Sequence, residues 1–312
     1  MHLLIPFAAD TSEAASHVLR DLSLPHLTRL LARLTPTERD AGEPDTLSPP
    51  HERALARAWG WHGGDGALPY AARAAQADGI DVDDRAWGLL TPAHWLLGRT
   101  NVTLSDPRQL GLSEDESRAL FEAVRPLFES EGYSLAWGAP LRWYAAHESL
   151  ADLPCASLDR VIGRNVERWL AGMRQHGPSR VLRRLQSEVQ MQLYPHPVNE
   201  RREACGALTV NSFWLSGCGR AQPADPAALQ VDAALREPLL TQDWAGWAEA
   251  WRALDAGPLA ALLKRAASGE AVTLTLCGER AAQRHEPLPR PLLRRLTRRW
   301  SAPSVASLLE AL

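Results

Sequence analysis

The chain has 312 residues, 45% hydrophobic and 23% charged, the composition of a globular protein with a sizeable core rather than a disordered chain. A formal charge of -3 argues against a general nucleic-acid or membrane-surface binder, and four cysteines without C-x-x-C spacing argue against a zinc knuckle or a disulfide framework. No apolar run approaches membrane-spanning length and the short amino-terminal run has no basic flank, so a cytoplasmic protein with no signal peptide is expected.

Leu3 to Phe7 is a short apolar run of the kind found in buried parallel strands. A helix is expected within Ser12 to Leu22, with Val18, Leu19 and Leu22 inward, and another from Leu27 to Leu34. Thr35 to Pro50 is polar and proline-bearing and reads as an irregular excursion, before a helix from His51 to Trp59. The break that follows, WGWHGGDG, lacks the Lys and Ser/Thr of a phosphate loop and reads as a plain loop.

Trp87 to Leu90 and Val102 to Leu104 read as strands. Ser113 and Glu116 form a capping box that opens a helix with Leu120, Val124, Leu127 and Phe128 inward. Tyr133, Leu135 and Trp137 alternate as a half-buried strand, and Leu141 to Ala145 is a further strand carrying Arg142. Helices are expected over Asp159 to Leu170 and Pro178 to Leu193. Trp244, Trp247 and Trp251 lie at helical spacing as a core stripe in preference to a stacking face for bases, and Ala271 to Leu276 is a strand.

The most organised stretch is SEVQMQLYPHPVNERREACGALTVNSFWLSGCG, from Ser187 to Gly219. Pro195 and Pro197 end a helix and place His196 and Asn199 in a rigid turn. Arg201 and Arg202 offer planar donor forks suited to phosphate or carboxylate. Val210 to Leu215 reads as a buried strand, with Gly217 and Gly219 where backbone turns or is closely approached. Asn199 and Asn211 read as ties between turn and strand. Cys155 and Cys218 read as buried small residues, since no base adjoins them.

HPVNERREACGALTVNSFWLSGCG, and the segment from Asn101 through LSEDESRALFEAV to APLRWY, resemble the archaeal-type cofactor-independent phosphoglycerate mutases of the alkaline-phosphatase superfamily. That resemblance covers roughly residues 85–220, and the chain as a whole looks closer still to the RpfE-type regulatory proteins of bacteria. It implies a two-metal phosphoryl-transfer scaffold whose matched motif residues are Asn199, Asn211, Trp214, Gly217 and Gly219. The departures from the pattern are an Asp missing directly after the first strand, a missing Ser nucleophile before Trp87, and a His285 without companion ligands. The metal site is therefore read as dismantled, with no metal, no cofactor and no catalytic residue.

The expected fold is α/β, a mostly parallel sheet flanked by helices with an inserted smaller α+β unit. The sheet is expected to combine Leu3–Phe7 with the 210–215 and 272–276 strands. Residues 1–84 and 146–312 would form the discontinuous core and 85–145 the insertion. The expected function is non-catalytic regulation or ligand binding, with Arg142, His196, Arg201 and Arg202 converging on an anionic small molecule, or with a protein partner. The alternatives are an active mutase or phosphatase with rearranged metal ligands, and a nucleic-acid-associated protein using Arg294, Arg295, Arg298 and Arg299 of an amphipathic helix over PRPLLRRLTRRW.

Overall fold

Leu3, Leu4 and Ile5 are all but fully buried, and the strand that they form draws its partners from the far end of the chain. The computed structural model describes residues 1–99, 101–173, 179–225, 229–287 and 304–312. The chain divides into two compact units, one of Met1–Pro44, Pro49–Gly60 and Ala224–Leu312, the other of Asp45–Ser48 and Trp61–Pro223. The 85–145 segment is thus one part of the second unit.

The first unit begins with β1 (His2–Ile5), α1 (Glu13–Asp21), α2 (Pro25–Arg33), β2 (Thr35–Ala41) and α3 (Pro50–Ala58). Ser12 caps α1 by accepting from the Ala15 N–H, and a proline opens α2, where a missing N–H costs nothing. Thr35–Ala41, expected to be irregular, is an edge strand. Its side chains are mostly polar, several half-buried, and its backbone is paired with a later strand, so apolar alternation gives no sign of it.

The second unit follows with α4 (Tyr70–Ala77), β3 (Ala86–Ala93), the paired β4 (Trp95–Leu97) and β5 (Val102–Leu104), α5 (Glu114–Glu129), β6 (Ser134–Ala139) and β7 (Arg142–Ala146). Next come α6 (Leu158–Val161), α7 (Val166–Met173), α8 (Ser179–Leu193), α9 (Pro197–Ala204) and β8 (Ser212–Arg220). The capping box at Ser113 and Glu116 is present in full. The single helix expected over Asp159–Leu170 is broken between α6 and α7, where Gly163 takes a left-handed φ of 71°. Asn199 lies inside α9 instead of in the turn before it.

Antiparallel pairing orders the second unit's sheet β6-β7-β3-β8. Phe121, Phe128, Leu185 and Val189 from α5 and α8 cover one face with Trp143, Phe213 and Leu215. The alanines of α4 cover the other against Trp87 and Tyr144. Close packing there dictates glycine: a Cβ on Gly217 would sit 2.8 Å from the Ala71 nitrogen, and its φ is 64°.

The chain then returns to the first unit through β9 (Leu229–Val231), α10 (Arg236–Leu240), α11 (Trp244–Leu254), a π-helical turn over Asp255–Leu259, α12 (Ala260–Ala267), β10 (Thr273–Cys277), β11 (Ala281–Glu286) and α13 (Val305–Glu310). The sheet order is β2-β11-β10-β1-β9, with β1 parallel to both β9 and β10, and β11 antiparallel to β10 and β2. The α/β arrangement of a sheet flanked by helices is as expected, with parallel pairing about β1 and antiparallel pairing at β11. One member is not: the 210–215 strand belongs to β8 in the other, antiparallel sheet. Leu3, Ile5, Leu274 and Leu276 pack toward α1, α2, α11 and α12, while Leu4, Cys277 and Ala282 pack toward α3. Trp247 and Trp251 are fully buried, which makes the tryptophan stripe core. The segment carrying Arg294, Arg295, Arg298 and Arg299 lies outside the described residues. No described helix is long and apolar enough to cross a membrane.

Candidate functional site

The Ser187–Gly219 stretch is tied to its surroundings by its own polar groups. The His196 ring caps α9, Nδ1 accepting from the Val198 N–H at 3.2 Å, and burial followed by the Arg201 charge pushes its pKa below the ordinary value. Asn199 is buried and donates to Leu193 O (2.8 Å) and Val210 O (2.7 Å). Asn211 bonds both the N–H and the carbonyl of Trp95 through its side chain, and the Trp214 indole donates to Ala156 O at 2.8 Å.

The arginines do not share a point. Arg142 on β7 gives Nε and Nη2 to the two oxygens of Asp78, each at 2.8 Å, and the Tyr144 hydroxyl donates to the same carboxylate at 2.7 Å. The bond from Arg142 holds the Asp78 carboxyl below its usual range. Arg202 on α9 is buried and spends its fork on both oxygens of Glu116 at 3.0 Å and on the carbonyls of Leu208 and Leu110. Arg201 is exposed. The expected convergence of Arg142, His196, Arg201 and Arg202 on one anion is therefore corrected to two separate carboxylate pairs and a helix cap. The carboxylate pairs occupy Arg142 and Arg202, and Arg201 stands exposed apart from both.

The two-metal centre implied by the resemblance also finds no matching donors. Asp10 turns back to the Ser12 N–H at 2.8 Å, and Glu279 receives both the N–H and the hydroxyl of Thr11. Among the described residues no three His, Cys, Asp or Glu side chains come together as a metal-ligating group. The described residues do not fit such a centre.

Unengaged positive charge gathers instead in the first unit, between α2 and α12. Asp255, buried in the π-helical turn, accepts from the His26 N–H (3.1 Å), the Leu27 N–H (2.8 Å) and His26 Nδ1 (2.9 Å). It serves as the cap of α2, whose own N-cap residue, Leu24, supplies no side-chain bond. Beside it runs an open groove of about 610 Å³ with a floor of Ala32, Ala260, Leu263 and Ala267. His26, Arg29, Arg33 and Lys264 stand on its rim. Arg29, Arg33 and Lys264 are exposed, and none has an ion-pair partner among the described residues. A smaller cleft in the same unit, lined by His2, Glu38, Asp40, Arg57 and Arg284, is already neutralised: Arg57 pairs with Glu38 (2.5 Å) and Asp40 (3.1 Å), and Arg284 with Glu286 (2.6 Å).

The groove was not anticipated from the sequence. Two signals for it were present: Arg29 and Arg33 fall four apart on an expected helix, and Lys264 is the chain's single lysine. Neither tells which helix lies alongside.

No protein-family model matches the chain, and no curated protein matches it. Among solved structures, it is similar to the cofactor-independent phosphoglycerate mutase from Thermoplasma acidophilum DSM 1728, with a TM-score of 0.36 and 15% identity over 91% of this chain and 89% of that one. It is likewise similar to the PH0037 protein from Pyrococcus horikoshii, with a TM-score of 0.42 and 13% identity over 92% of this chain and 87% of that one. Both likenesses concern the fold alone.

Proposed function

We propose that the protein is a non-catalytic binding protein of the RpfE-type regulatory kind, which takes an anionic small molecule in the groove between α2 and α12. The observation that carries the reading is the rim of Arg29, Arg33 and Lys264, three exposed cations without carboxylate partners among the described residues, above an alanine-rich floor. The Ser187–Gly219 motif supports the regulatory kinship, and the engaged state of Arg142 and Arg202 moves ligand binding away from that motif.

Magnitudes narrow the ligand class. Exposed cations contribute about 1 kcal/mol each to an ion pair, so three give about 3 kcal/mol, weaker than millimolar affinity. Covering roughly 100 Å² of apolar floor adds about 2.5 kcal/mol and brings affinity to the order of 0.1 mM. The ligand is therefore a molecule with at least two negative groups and an apolar body, in preference to a simple ion.

Calorimetry with a panel of phosphorylated and dicarboxylated metabolites tests this. Binding that weakens at least about tenfold in Arg29→Glu/Lys264→Glu, and also weakens with added salt, is the expected result. Absence of heat with every panel member, or binding that the double variant leaves unchanged, overturns it.

A further inference from the structure

Cys155 lies in the segment between β7 and α6, and Cys218 lies on β8. Their sulfur atoms are 3.6 Å apart, neither residue is in a disulfide, and they are 2% and 0% exposed. A disulfide has an S–S distance of about 2.05 Å, so bond formation asks for an approach of about 1.5 Å. The surroundings keep the pair together. The Cys155 N–H donates to Gly66 O at 3.0 Å, and the Trp214 indole, from the same strand as Cys218, holds the neighbouring Ala156 carbonyl at 2.8 Å. Gly88 leaves the room that the Cys218 sulfur occupies, since a Cβ there would stand 3.2 Å from it. The remaining thiols differ in setting: Cys205 is exposed, and Cys277 is buried in the first unit.

We propose that Cys155 and Cys218 are a two-electron redox pair that a peroxide closes to a disulfide. Cys155 reacts first, because it lies in an irregular segment that can open without breaking a sheet, whereas Cys218 is fixed in β8. Its sulfur attacks one peroxide oxygen. An S–O bond forms, the O–O bond breaks, and the leaving oxygen takes the Cys155 proton to become an alcohol or water. The Cys218 sulfur then attacks the sulfenic sulfur. The S–S bond forms, the S–O bond breaks, and the departing hydroxide leaves as water with the Cys218 proton. Two thiols are oxidised to one disulfide and one peroxide is reduced. The bridge ties the 151–157 segment to β8. The contact with the Cys155 thiol, and then burial, raise the pKa of Cys218, in keeping with a slow closure gated by local opening.

A Cys205→Ser protein removes the exposed thiol and leaves three of the four cysteines. This protein is incubated with hydrogen peroxide, unfolded, alkylated and weighed. The expected product carries one alkyl group, on Cys277, weighs about 2 Da less than the reduced chain before alkylation, and yields a linked Cys155–Cys218 peptide that dithiothreitol separates. Adding Cys155→Ser abolishes the link. Three alkyl groups after peroxide treatment, a link involving Cys277, or Cys155 and Cys218 recovered only as sulfinic acids overturns the proposal. The measurement on the Cys205→Ser protein decides the matter even where the second variant does not fold.

Discussion

Asn199 and Val210 exchange two hydrogen bonds, the amide Nδ2 donating to Val210 O at 2.7 Å and Oδ1 accepting from Val210 N at 2.9 Å. A side chain on α9 thus pairs with the approach to β8 as a neighbouring strand residue would. A second Nδ2 proton goes to Leu193 O, so three backbone groups depend on one amide. Asn199→Ala leaves them unpaired in a buried site and is expected to cost about 2–4 kcal/mol. Asn199→Asp replaces the two donors with a charged acceptor facing two carbonyls and is expected to cost more. Urea unfolding of the three proteins checks the order.

Arg202 is expected to behave as a staple. Lysine keeps the charge but cannot reach Glu116, Leu208 and Leu110 together, so Arg202→Lys is expected to lose about 3 kcal/mol of stability. Burial raises the Glu116 pKa, but the hydrogen bonds from Ser113 and Arg202 together outweigh it and leave the carboxyl below its usual value. The stability from Glu116 is therefore complete above the ordinary carboxylate value and is lost as pH falls from there through the lowered folded value, and Glu116→Gln is expected to remove this part of the acid dependence. Unfolding measured at neutral and acid pH reads both effects.

Two glycines with similar backbone angles are expected to respond differently to alanine. Gly60 has φ 74° and open space around it, so Gly60→Ala meets only backbone strain, about 1 kcal/mol. Gly217 has φ 64° and the Ala71 backbone 2.8 Å from its would-be Cβ. Backbone there cannot swing aside as a flexible side chain would, and Gly217→Ala is expected to cost roughly 3 kcal/mol or more. Equal losses in thermal unfolding would remove the packing argument.

His2 gives the fold a sensitivity to mild acid. Burial, and then the Arg284 charge, lower its pKa from 6.5 to about 4, and its Nε2 lies 2.8 Å from the Thr275 hydroxyl. The unfolded chain binds a proton in that interval and the folded chain does not, so stability is full above about 6.5 and falls as pH drops toward 4. Partial exposure reduces the effect to about 1–2 kcal/mol between pH 7 and pH 5. His2→Asn is expected to flatten this part of the curve, as denaturant midpoints at the two pH values would record.

Local chemistry written in neighbouring residues was legible in the sequence: the Ser113 capping box, the start of α1 at Ser12, the burial of Trp247 and Trp251, and the parallel pairing of Leu3–Ile5 with the 273–277 strand. Choices made between distant segments were hidden. Val210–Leu215 has the same apolar character whichever sheet receives it, and its antiparallel pairing with β3 is set by partners, not by its own period. Thr35–Ala41 is a strand because β11 offers it a ladder. Arg142 and Arg202 look like free forks until Asp78, 64 positions away, and Glu116, 86 positions away, are brought up to them.

The cap that Asp255 places on α2 reaches back 228 positions, to Leu27. Both parallel neighbours of β1 likewise come from beyond residue 228. During synthesis the first 60 residues therefore leave the ribosome without the groups that complete them, and they wait while the whole second unit emerges. Of the chain before residue 61, that unit includes Asp45–Ser48. The part made first is the part finished last, so the apolar stripes of α1 and α2 are the surfaces most exposed to misassociation on a stalled or truncated chain.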